Sequence, residues 1–177
     1  MNKIKECFEN ALKEDEKGKK HKGLLLTKLD NKKAEEYVKK AKINLQLCHL
    51  YKEREFEYKI PEEWFYTLYY CALAILAKFG IESRSQKCTA LFLKYVKDKN
   101  LIDYDEEFID RIIVYKEKEE ISDVDEREKA RYSSSLKSEE INAKYNYMNE
   151  MCKKAISQCE DIVFSNKELK VPKDIFY

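Results

Sequence analysis

The chain has 177 residues, 35 Lys+Arg against 34 Asp+Glu, and only 3 Gly. Average usage of about 7 % glycine would give roughly 12, so turn-rich all-β architectures are disfavoured and one helical domain is the expectation. An apolar fraction of 44 % argues against global disorder despite 39 % charged residues, and a net charge of +1 excludes a generally basic surface for nucleic acid or membrane.

Apolar spacing predicts six helices. Ile4, Cys7, Phe8, Ala11 and Leu12 recur at helical intervals before Gly18 and the Lys19-Lys20-His21-Lys22 run break the pattern. A second helix starts near Asp30, a suitable N-cap, and carries Ala34, Tyr37, Val38, Ala41, Leu45 and Cys48 on one face. Pro61 suits the first turn of a third helix, with Glu62 and Glu63 at the positive end of its dipole. That helix, Trp64 to Phe79, is apolar nearly all round, so it should be the central element, closed by Gly80. Its Trp64, Phe65, Tyr66, Tyr69 and Tyr70 could stack bases, but helical spacing on so apolar an element favours core packing.

A fourth helix follows Ser83 or Ser85 and turns Cys88, Leu91, Phe92, Tyr95 and Val96 inward. Asp103 and Glu106 resemble a capping box for a fifth, which should bury Phe108, Ile109, Ile112 and Ile113. The almost wholly charged stretch from Lys116 to Lys129 reads as a solvated helix end or loop. A last helix begins near Ser138, with a stripe from Ile141 to Val163, and Pro172 lies in a tail expected to be loose. No repeat and no hairpin turn signal occurs. The expected fold is an all-α, up-and-down bundle of about five to six helices: an N-terminal helix and basic linker over 1–23, the bundle over 24–165 and a tail over 166–177.

No run approaches the roughly 18 apolar residues of a membrane span, and the charged start Met1-Asn2-Lys3-Ile4-Lys5-Glu6 lacks the apolar centre of a signal peptide. A cytoplasmic location away from membranes is therefore expected. The six cysteines, Cys7, Cys48, Cys71, Cys88, Cys152 and Cys159, form no C-x-x-C pair and fall on apolar stripes. Buried free thiols are the expected state, and zinc is not.

Several chemistries are absent. There is no G-x-x-x-x-G-K-[ST], G-x-G-x-x-G or H-E-x-x-H. His21 and His49 are the only histidines, and Gly18 and Gln46 stand three residues before them, so a Glu-x-x-His di-iron site is excluded. No metal or other cofactor is expected. His49 reads as a core or boundary residue, His21 as a solvated one. The sharper feature is Arg127-Glu128-Lys129-Ala130-Arg131-Tyr132-Ser133-Ser134-Ser135. Arg127 and Arg131 share a helix face, where two guanidinium forks could clamp one phosphate beside the Tyr132 hydroxyl; a solvated charged face is the plainer alternative.

The order of elements resembles HEPN domains (higher eukaryotes and prokaryotes nucleotide-binding), of the stand-alone archaeal and bacterial branch. The likeness begins at residues 34–45, Ala-Glu-Glu-Tyr-Val-Lys-Lys-Ala-Lys-Ile-Asn-Leu, similar to that branch's first long helix. It continues through Trp64 to Ser85, where the family has an aromatic helix ending in Gly and then a Ser-His dipeptide. It closes at Arg127, three residues, the polar Arg131 and Tyr132. The resemblance implies a bundle that homodimerises through its long helices and a role with nucleotide or RNA. Many such proteins are metal-independent ribonuclease toxins paired with a minimal nucleotidyltransferase, using an arginine followed four to six residues later by histidine.

This chain departs from that pattern. Its arginines, Arg54, Arg84, Arg111, Arg127 and Arg131, all follow both histidines, and Gln86 stands where the histidine of Ser-His would be. No Arg-to-His motif exists at any spacing, so no catalytic residue is assigned. The expected function is a non-catalytic HEPN-like module that binds nucleotide or RNA phosphate, or a nucleotidyltransferase partner, through Arg127, Arg131, Tyr132, Arg84 and Gln86. A histidine-free endoribonuclease of the toxin–antitoxin type and a purely structural dimerisation protein are the alternatives.

Overall fold

The computed structural model describes residues 3–113, 127 and 138–176. The elements in chain order are α1 (Lys3–Glu16), β1 (Leu24–Leu26), α2 (Asn31–Glu53), α3 (Ile60–Lys78), β2 (Ile81–Ser83), α4 (Gln86–Asp98), α5 (Glu106–Asp110) and α6 (Ser138–Val163). This is the expected all-α bundle, with a small two-stranded sheet as an addition. Among the described residues, no helix is long and apolar enough to cross a membrane.

Local chemistry sets most of the boundaries. The Asp30 carboxylate accepts the Lys33 N–H and starts α2, while the Ser85 hydroxyl accepts the Cys88 N–H and starts α4. Pro61 occupies the first turn of α3. Gly80 follows that helix at φ +70°, and a Cβ there would stand 2.9 Å from the Thr27 carbonyl oxygen. The positive φ reverses the chain, and the missing Cβ lets the Gly80 carbonyl accept the Thr27 N–H at 2.8 Å.

The helix α3 is the centre of the molecule and packs against α2, α4, α5, α6 and β2. Trp64, Phe65, Leu68, Ile75 and Leu76 are almost wholly removed from solvent, each such side chain contributing about 1.5–3 kcal/mol. Trp64 carries a polar N–H into this interior, where Nε1 donates to Asn149 Oδ1 of α6 at 2.8 Å. Both partners are buried, so the bond fixes α3 against α6.

Four expectations about the fold require correction, and one strand pairing is added to them. The first concerns the thiols: Cys7 and Cys88 are joined in a disulfide that ties α1 to α4, and only Cys48, Cys71, Cys152 and Cys159 are free and buried. Those two residues lie on separate stripes, but the stripes face each other. His21, expected in solvent with its lysine neighbours, is 3 % exposed because its ring turns inward to Glu82. Leu24–Leu26 and Ile81–Ser83 pair antiparallel, Leu24 opposite Ser83 and Leu26 opposite Ile81. The fifth helix has Asp105 as its N-cap residue without a side-chain cap, because that carboxylate is paired with Lys154 at 2.6 Å. Nor is the tail loose. Leu169 and Ile175 are buried, Phe176 packs edge-on against Phe8, and Asp174 pairs with Lys99.

Candidate functional site

Of the five residues named from the sequence, Arg127, Arg84 and Gln86 are described, whereas Arg131 and Tyr132 lie outside the described residues. Arg127 is helical and half-buried. Its guanidinium carbon lies 4.2 Å from the centroid of Phe65 and 5.6 Å from that of Tyr66, so the planar fork rests on the aromatic side of α3. Its Nε is buried, and among the described residues it has no hydrogen-bond partner and the side chain pairs with no carboxylate. A desolvated guanidinium donor left unsatisfied is costly unless a ligand arrives to accept from it.

The shelf beneath Arg127 is larger than the sequence indicated. Trp64 and Phe65 are core residues as expected, but Tyr66, Tyr69 and Tyr70 are only half-buried. Phe65 stacks on Tyr69 at 5.7 Å, Tyr66 on Tyr70 at 5.9 Å, and Tyr70 on Tyr37 of α2 at 5.9 Å. Lys40 Nζ stands 5.6 Å from the Tyr37 ring centroid and 5.5 Å from that of Tyr70. One cation therefore sits at each side of the tyrosine run. Burial raises the Tyr69 and Tyr70 phenols above their ordinary range. Tyr37 and Lys40 were not foreseen as site residues. Their place depends on the register of α2 against α3, which helical periodicity does not specify.

Gln86 opens α4 and is half-buried; Arg84 is exposed. At this turn Thr89 Oγ1 is 2.7 Å from Ser83 Oγ and donates to the Ser85 carbonyl at 2.9 Å, while Phe65 under Arg127 stacks on Tyr69. Arg84 itself is engaged, because its Nε donates to Glu82 Oε1 at 2.9 Å. The same carboxylate meets His21 Nε2 at 3.3 Å and Lys33 Nζ at 3.5 Å. Burial works to raise the Glu82 pKa, but hydrogen bonds from His21 and Arg84, with the Lys33 charge, outweigh it and hold the carboxyl below its ordinary range. Arg84 thus belongs to a charge network around Glu82, whereas the Arg127 Nε has no hydrogen-bond partner among the described residues.

The two histidines are not placed as an acid–base pair. His49, expected at the core or its boundary, is instead exposed, with Nδ1 2.8 Å from the Tyr145 hydroxyl on α6, and His21 faces Glu82. Among the described residues, no three His, Cys, Asp or Glu side chains gather as metal ligands would. Comparison with known proteins finds no family model, curated protein or solved structure that matches the chain.

Proposed function

We propose that this chain is a HEPN-like, non-catalytic module that binds RNA or a nucleotide, with Arg127 contacting phosphate and the adjoining tyrosines receiving bases. The observation that carries the reading is the Arg127 guanidinium, seated on Phe65 and Tyr66 with its buried Nε unpartnered. A guanidinium fork can meet a phosphate with two parallel hydrogen bonds, and aromatic side chains beside it give unpaired bases a surface to stack on. The half-buried run Tyr66, Tyr70 and Tyr37, flanked by Lys40, has that composition.

Arg127→Ala should weaken binding of a short single-stranded RNA at least about tenfold, the scale of one charged hydrogen bond, as read by fluorescence anisotropy. Arg127→Lys should recover less than half of that loss on a free-energy scale, because lysine keeps the charge but not the planar fork. Equal affinity for wild type and both variants overturns the assignment. RNA cleavage in chelator-treated buffer that disappears with Arg127→Ala would replace the binding reading with that of a histidine-free ribonuclease.

A further inference from the structure

The Cys7–Cys88 disulfide lies outside the proposed RNA site and was not foreseen from the sequence. Both sulfur-bearing residues line a surface pocket of about 320 Å³ where α1 meets the start of α4. Lys3, Lys22 and Lys87 line the same pocket, with Glu6 as its single carboxylate. Among the described residues, none of the three ammonium groups is engaged in an ion pair. The pocket therefore combines a largely buried disulfide, whose two residues line it with 7 % of each exposed, a net positive lining and space for a small molecule.

We infer that this pocket is an S-thiolation site whose substrate is a small anionic thiol, one carrying carboxylate or sulfonate groups that the lysines attract. The thiolate of the ligand attacks Cys7 Sγ, the S–S bond breaks, and its electron pair leaves on Cys88 Sγ. The products are a mixed disulfide on Cys7 and a Cys88 thiolate, which then takes a proton from water. A second ligand thiolate attacks the ligand sulfur of that mixed disulfide and releases the Cys7 thiolate. The balance is two ligand thiols oxidised to their disulfide and one protein disulfide reduced to two thiols.

The direction of cleavage follows from the fold. Cys88 is in the first turn of α4, three residues after the Ser85 cap that accepts its N–H, where the positive end of the helix dipole stabilises a negative sulfur. The thiol that is more stable as a thiolate is the better leaving group, so Cys88 leaves and Cys7 carries the adduct. Lys87, the residue before Cys88, lines the pocket together with Lys22 and Lys3 of α1, and their positive charges favour both the Cys88 thiolate and the incoming anion.

The test uses the oxidised full chain and three thiols: mercaptoethanesulfonate, mercaptoethanol and cysteamine, which are anionic, neutral and cationic beyond the sulfur. Reaction is followed by acid quench and peptide mass spectrometry, with rates corrected for each thiol's thiolate fraction. The sulfonate should react at least about tenfold faster than cysteamine in dilute buffer, with the first adduct on Cys7. Salt at 0.5 M, which shortens the screening length to below about 5 Å, should largely remove the preference. So should Lys22→Gln combined with Lys87→Gln, which leave the disulfide and the core untouched. Equal rates for the anionic and cationic thiols, first adducts on Cys88 or on the free cysteines, or alkylation of all six thiols without reductant would each overturn the inference. It stands independently of RNA binding, which Arg127→Ala tests without touching either sulfur.

Discussion

Tyr104 is 0 % exposed, and its hydroxyl is buried without a hydrogen-bond partner. Its ring packs edge-on against Phe108 at 5.2 Å, so its hydrophobic contribution is complete without the oxygen. Tyr104→Phe should therefore stabilise the fold by about 1 kcal/mol, the penalty of one unsatisfied polar group, seen as a higher urea midpoint at unchanged slope. Glu63 presents a related cost in charged form. Burial, then the neighbouring Glu62, raises its carboxyl above the ordinary 4.5, against the Asn44 amide that donates to it at 2.6 Å. A raised carboxylate pKa means that the folded chain holds the proton more tightly, so this group favours folding below pH 4.5 and loses that contribution as pH rises through the folded value. Glu63→Gln should then raise Tm at pH 7 by about 1–2 °C, with the gain vanishing below about pH 4. Glu82, held below its ordinary range, works in the opposite sense: its contribution is full above the unfolded value and fades on acidification.

Between elements, the buried bond from Trp64 to Asn149 has the most to lose. Asn149→Ala should cost about 1–3 kcal/mol by stranding the indole N–H, whereas Asn146→Ala, on the exposed side of the same helix, should stay within about 0.5 kcal/mol; denaturant melts of the two variants distinguish them. Asn149 also shows where sequence reading stops. The stripe of α6 was legible from Ile141, Tyr145, Met148 and Cys152, and an asparagine beside it carried no sign of being turned inward. Helix starts at Asp30 and Pro61 were legible because capping is local chemistry, and that of α4 was narrowed to Ser83 or Ser85, of which Ser85 is the cap. The strands were not: Leu24-Leu25-Leu26 has no alternation, and its partner lies far along the chain at Ile81–Ser83. The Cys7–Cys88 bridge was hidden for the same reason, since a separation of 81 residues says nothing about proximity. In the candidate site, Arg127 was named from its spacing to Arg131, but its seat on Phe65 and the run through Tyr70 to Tyr37 arises from packing between helices.

At the level of the whole molecule, a net charge of +1 sets a limit on how RNA can be held. Binding through Arg127 and a few neighbours neutralises one or two phosphates, so log K against log salt should have a slope no steeper than about −1.5. A slope near −4 would require a basic surface and would place the contact elsewhere; titrations between 50 and 200 mM salt decide it. The disulfide also governs how the molecule carries load. Tension applied between the residues at the two ends of the described chain travels from α1 through the sulfurs into α4. Residues 8–87, including all of α2 and α3, are bypassed. While the bridge is closed, the central helix can lose its neighbours on α6 without being stretched itself. Opening the bridge puts the same helix directly in the line of force.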